Sequence, residues 1–260
     1  MKGIEGKAVA FALAAALAVG GLAGCGGNDD QTAGGAGGVR TSTTAKPGSL
    51  AAAAAAEGVP VRPVSGAEAT ERRLRGIPQQ GLELGAHDAP VTVVLFADVQ
   101  CPYCKAFWLR VLPHVVDHYV RDGRAKVVLR DVAFLGTDSI RGAQFAGAAG
   151  LQDKLWDVVD LLYRHQGAEN SGWVTDELLR RIGAGVPGLA TERALADRGD
   201  RRVNRQLKQA RAIAADYRVT GTPTLLVGET DGFVFPVPGG ETLAGLSAAI
   251  DGALSNLSGG

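Results

Sequence analysis

The sequence predicts an α/β fold in which a helical insertion separates the two halves of a central sheet. Three observations carry that expectation. Val91-Thr92-Val93-Val94-Leu95-Phe96-Ala97 is an apolar, β-branched run starting just after Pro90, the pattern of a strand buried on both faces. From Ser139 to Tyr217 the chain breaks at glycines into helical segments with no strand pattern among them. Beyond that stretch, Val219 to Val227 reads as a turn feeding another apolar strand, with Phe233 to Val237 as its hairpin partner and Glu241 to Leu254 as a closing helix.

The elements between follow in order. Phe107, Leu109, Leu112, Val115, Val116 and Tyr119 recur at helical spacing up to Asp122-Gly123, and Pro113 is expected to kink that helix near its middle. Ala125 to Leu129 reads as a second strand, closing a strand-helix-strand unit. The insertion should hold helices over about 139–150, 153–166, 175–182 and 201–217, the last with Val203, Leu207, Ala210, Ile213, Ala214 and Tyr217 along one apolar stripe.

The 260-residue chain is 46% hydrophobic, enough for a substantial core, and it balances 27 basic against 27 acidic side chains. A nucleic-acid partner is not expected, because phosphate binding normally leaves a basic excess. Lys2 and Lys7 precede or flank the unbroken apolar run Ala8 to Val19, too short for a comfortable membrane span and suited to a signal peptide. It ends in Leu22-Ala23-Gly24-Cys25, which resembles a bacterial lipobox. Residues 1–24 are therefore expected to be a lipoprotein signal peptide and Cys25 the lipid attachment site, leaving the protein extracytoplasmic and lipid-anchored to the cell membrane. Residues 25–80, rich in Gly, Ala, Ser, Thr and Pro, read as a flexible tether, and the folded domain should occupy 81–257, with its helical insertion at about 138–217.

The chain has three cysteines, and with Cys25 given to lipid only Cys101 and Cys104 remain to pair, in the stretch Val99-Gln100-Cys101-Pro102-Tyr103-Cys104. Three readings compete for a CxxC. A zinc site wants four ligands, and no further cysteine is at hand. His114 and His118, four apart, nearly match a metallopeptidase pattern, but Asp117 stands where that pattern needs Glu, so no metal is expected. A static bridge over so small a loop adds little stability. A working dithiol needs one thiol of lowered pKa, and a cysteine between a strand exit and a helix N-terminus has unpaired N–H groups to stabilise its thiolate. Cys101 is therefore the expected nucleophile and Cys104, one turn along, the resolving thiol. Pro102 fits the first helical turn, where its missing N–H costs nothing.

CPYC after an apolar strand, a helix containing Leu112-Pro113, a helical insertion and then Gly221-Thr222-Pro223 before a strand together resemble the DsbA-type branch of the thioredoxin superfamily. The resemblance covers roughly residues 82 to 255 and implies a thioredoxin-like fold without a cofactor. It further implies that Pro223 follows a cis peptide bond and faces the dithiol, and that Thr222 offers its backbone to an extended client segment beside Cys101. One departure stands out: the buried Asp or Glu common six residues before the nucleophile is Leu95 here, and Asp98, on the other strand face by alternation, is a doubtful substitute. Between the cysteines DsbA carries Pro-His, whereas Pro102-Tyr103 follows glutaredoxins. With reference potentials of roughly −120 mV for DsbA and about −200 to −230 mV for glutaredoxins, the expectation is a milder oxidant than DsbA.

The function implied is transfer of the Cys101–Cys104 disulfide to folding exported proteins with thiols, followed by reoxidation through a quinone-linked membrane partner. Two alternatives compete: a reductase or isomerase kept reduced by a membrane electron donor, and a tethered peptide-binding or chaperone module. The intact CPYC weighs against the last, because a pure binder needs no oxidisable pair.

Overall fold

The computed structural model describes residues 61–258; the expected signal peptide, Cys25 and most of the expected tether lie outside the described residues. The chain runs α1 (Ala67–Leu74), β1 (Gln79–Gln80), β2 (Glu83–Leu84), β3 (Val91–Ala97), α2 (Pro102–Arg110), α3 (Leu112–Val115), a π-helical turn (Val116–Val120) and β4 (Ala125–Asp131). The insertion follows as α4 (Thr137–Gly150), α5 (Leu155–Arg164), α6 (Asp176–Ala184), α7 (Thr191–Ala196), a 3-10 turn (Asp197–Gly199) and α8 (Arg201–Asp216). The chain closes with β5 (Thr224–Glu229), β6 (Val234–Pro236) and α9 (Leu243–Ser258). Among the described residues no helix is long and apolar enough to cross a membrane.

The six strands order as β1-β2-β4-β3-β5-β6. β3 is central: it runs parallel to β4 from Val91 opposite Ala125 to Ala97 opposite Asp131, and antiparallel to β5 from Val91 opposite Glu229 to Phe96 opposite Thr224. Being covered on both faces explains why its sequence lacks the polar alternation of a half-exposed strand. Val93, Leu95 and Ala97 enter the main core with Phe107, Trp156 and Leu246. Phe96, one step out of phase, meets Leu226, Val132 and Ala214 in a smaller cluster beneath α8.

The first half of the sheet and the second half are thus joined side by side although the insertion separates them in sequence, as the sequence predicts. Pro113 ends the regular ladder: α2 stops at Arg110, and the chain re-forms as α3 and then widens, Arg121 N–H bonding to Val116 O at 2.9 Å across five residues. The short α7 escapes sequence reading because six residues give too little periodicity.

One boundary is corrected. Residues from Val64 onward, placed by sequence in the tether, belong to the fold: Val64, Leu74 and Ile77 are buried in the main core, and β1 and β2 form a hairpin, β2 pairing with β4. The tether reading fails because α1 carries a charged run, Glu71-Arg72-Arg73, and docks through partners far along the chain. Asp160 on α5, 1% exposed, accepts from Thr70 Oγ1, from Arg73 Nη1 at 2.7 Å, from Arg164 Nε at 2.7 Å and from Trp108 Nε1 at 3.1 Å. A buried carboxylate with two guanidinium partners and two further donors is fully satisfied, and it ties α1 and α2 to the insertion.

Candidate active site

The site forms where β3 hands over to α2. Cys101 is the N-cap of α2, with φ −68° and ψ 120°, and its sulfur accepts the Cys104 N–H at 3.4 Å. A cap normally uses an oxygen for this purpose; here sulfur takes that place, which is also the place where negative charge is favoured. Pro102 occupies the first helical position. Across the sheet, the loop before β5 brings Thr222 alongside: the Cys101 thiol donates to Thr222 O at 3.2 Å, and the Thr222–Pro223 peptide bond is cis. Tyr103, by contrast, is 74% exposed.

The two thiols are both free and both buried, yet their acidities diverge. Hydrogen bonding from the Cys104 thiol, then from the Thr222 side chain and from the N–H groups of Cys104 and Tyr103, outweighs burial and holds Cys101 down at about 6. Burial, joined by the hydrogen bond and charge of Cys101, pushes Cys104 far above the ordinary thiol range. One sulfur is thus ready to be a thiolate at neutral pH while the other keeps its proton.

The turn that carries Cys101 is braced by polar residues that no motif announced. Asp98, fully buried, accepts at Oδ1 from Gln100 N at 2.8 Å and Ser139 Oγ at 2.5 Å, and at Oδ2 from Phe134 N at 2.8 Å and Leu135 N at 3.1 Å. Its backbone carbonyl accepts from Cys101 N at 3.0 Å and Tyr163 Oη at 3.1 Å. Asp98 is therefore a structural brace rather than a substitute for the missing acid, and Leu95 packs in the core where that acid would stand. A half-buried acid does exist one strand over: Asp131, in register with Ala97, is pushed above the usual carboxylate range by desolvation and then by the charge of Asp98. The signal for these residues was polar side chains in an otherwise apolar strand exit, which spacing rules alone do not interpret.

His114 and His118 stack nearly parallel at 6.5 Å, and among the described residues no three His, Cys, Asp or Glu side chains gather as a metal would require.

A family model described as Thioredoxin matches residues 79–251, and the chain belongs to that family. The probable disulfide bond formation protein D of Bacillus anthracis is 31% identical over 147 residues, covering 55% of this chain and 68% of that protein. The disulfide bond formation protein D of Bacillus subtilis is 27% identical over 152 residues, 56% of this chain and 67% of its own. Among solved structures, oxidised BdbD from Bacillus subtilis superposes with a TM-score of 0.60 at 24% identity, covering 69% of this chain and 97% of that one. A thioredoxin-like oxidoreductase from Silicibacter pomeroyi gives 0.54 at 28% identity, covering 70% and 96%. Fold, dithiol geometry and relatives agree on the chemistry: this is a thiol-disulfide oxidoreductase with a DsbA-like thioredoxin fold.

Proposed function

We propose that the protein is an extracytoplasmic thiol oxidase, Cys101 being the nucleophile and Cys104 the resolving thiol. The observation that carries this reading is the divergence of the two thiols, with Cys101 held at about 6. That value falls between those typical of thioredoxin, about 7, and of DsbA, about 3.5, which supports an oxidant milder than DsbA.

The chemistry follows from the acidities. A client thiolate attacks Cys101 Sγ of the Cys101–Cys104 disulfide; the S–S bond breaks, and Cys104 leaves and takes up a proton. A second client thiolate then attacks the client sulfur of the mixed disulfide, forming the client's disulfide and expelling Cys101 as a thiolate. The client loses two electrons and the protein's disulfide gains them. The second expulsion is easy because a low-pKa thiol is a good leaving group. Thr222 lies within hydrogen-bonding reach of Cys101, and its backbone suits pairing with an extended client segment, while Pro102, Pro223 and Tyr103 shape the approach.

The names of the two Bacillus relatives, disulfide bond formation proteins, support the oxidising direction. We further read Cys25 as the lipid attachment site and the clients as exported proteins with thiols, with a quinone-linked membrane partner to restore the disulfide. Alkylation of thiols in living cells tests the direction: Cys101 and Cys104 should be found predominantly as the disulfide. A predominantly reduced pair would instead mark a reductase or isomerase.

A further inference from the structure

The insertion does more than pack beside the dithiol; one of its side chains grips the backbone on which Cys101 stands. Gln166, just beyond α5, donates through Nε2 to Val99 O at 2.8 Å and to Cys101 O at 3.1 Å. One amide thus spans two carbonyls two residues apart, across the peptide units that turn β3 into α2. The Cys101 carbonyl also accepts from Lys105 N at 3.1 Å, the opening hydrogen bond of α2, so Gln166 is joined to the first helical turn itself.

The same insertion loop holds the intervening residue. Asn170 N donates to Gln100 Oε1 at 2.7 Å, and Gln100 Nε2 returns to Asn170 Oδ1 at 3.3 Å and Ser139 Oγ at 3.0 Å. Asn170 itself sits in the left-handed region at φ 55°. Its side chain lies against Gly136, where an added Cβ would come within 2.2 Å of Oδ1, so the loop closes to near contact. Gln100 is buried, which makes an unpaired amide there costly and the arrangement sharply defined.

We infer that Gln166 is a positioning residue for the redox reaction: by clamping the carbonyls of Val99 and Cys101, it aims the N–H groups of the first α2 turn at the Cys101 sulfur. Those N–H groups, from Tyr103 and Cys104, are among the donors that favour the thiolate. A turn free to rock would let them swing off the sulfur, weakening a charge-assisted bond far more than a neutral one. The thiolate is the attacking and leaving species, so the insertion would set redox reactivity without touching sulfur. The titratable group that acts directly on the Cys101 sulfur is Cys104 on its own helix, and beyond the pair Tyr163 on α5 feels the charges of both thiols, of Asp98 in the turn and of Asp131 at the end of β4. None of them is altered by substitution at 166.

This inference rests on the reading of Cys101 as the low-pKa nucleophile, and the experiment separates the two. The pH profile of Cys101 alkylation is measured in the full reduced chain, in Gln166→Met, which keeps length and flexibility without a donor, and in Gln166→Leu, which keeps much of the volume without donor or charge. Thermal midpoints of reduced and oxidised forms are recorded alongside. Both variants should shift the Cys101 midpoint upward by about one pH unit, slowing attack on a small disulfide at pH 6 by about fivefold. The reduced form should lose more thermal stability than the oxidised form. An unshifted profile in a folded variant overturns the inference, even if the midpoints fall equally in both redox forms, because that marks a merely structural role. If Gln166→Met does not fold, Gln166→Leu decides by the same criterion. A parent chain in which Cys101 alkylates only in the ordinary thiol range overturns the reading of the site and this inference with it.

Discussion

Two sulfurs one helical turn apart are driven in opposite directions by what surrounds each of them. Cys101 is held by hydrogen-bond donors and Cys104 by packing, so alkylation should find Cys101 titrating near 6 and Cys104 still protonated throughout the neutral range. Cys104→Ser should accordingly accumulate client mixed disulfides through Cys101, seen on non-reducing gels, and Cys101→Ser should form none. Leu95 carries a second expectation at this scale. It faces Leu129 and Leu225 on the neighbouring strands, so Leu95→Glu buries an acid among hydrocarbon and should cost on the order of 3 kcal/mol in a denaturant titration. The same acid, placed where the family commonly keeps one, should accept the Cys104 proton and speed release of the mixed disulfide by Cys104 attack, the route that returns the client reduced, about tenfold or more near neutral pH. An unchanged release rate would show that the absent carboxylate does not limit this protein.

Elements that signal themselves locally were legible in the sequence, and those defined by distant partners were not. β3 announces itself by its apolar run, α2 by Pro102 behind Cys101, and the loop before β5 by Gly221-Thr222-Pro223, because each pattern is complete within a few residues. The brace of Asp98, Gln100, Gln166 and Asn170 is assembled from the strand exit and the insertion, about 70 residues apart in sequence, so no window contains it. The α1 helix was missed for the same reason: its charged run looks solvated until Asp160 is placed beside it. This boundary has a measurable consequence. A chain beginning at Gly81 would lose the buried side chains of Val64, Leu74 and Ile77, each worth about 1.5–3 kcal/mol, and would leave Asp160 without Thr70 and Arg73. Its denaturation midpoint should fall steeply, whereas a chain beginning at Val61 should keep that of the full protein. Equal midpoints would return residues 64–80 to the tether.

At the scale of the whole molecule, the redox chemistry and the folding stability are one equilibrium seen from two sides. Folding lowers the Cys101 pKa from 9.0 to about 6, so the folded reduced protein gains stability as pH rises from about 6 towards 9, by up to about 1.4 kcal/mol per pH unit. Below about 6 that contribution is gone, because the thiol is protonated in folded and unfolded chains alike. Cys104 acts with the opposite sign, but only above about 9, where the unfolded chain ionises a thiol that the fold keeps protonated. The disulfide form carries neither term. Denaturant titrations of the reduced and oxidised proteins at pH 5.5 and pH 8 should therefore show the reduced form gaining about 2 kcal/mol on the oxidised form between the two conditions. A gap that does not change with pH would mean that no thiolate is stabilised by the fold. Through the thermodynamic cycle, whatever the fold adds to the reduced form it subtracts from the disulfide, and that difference is the drive with which the disulfide draws electrons from a client.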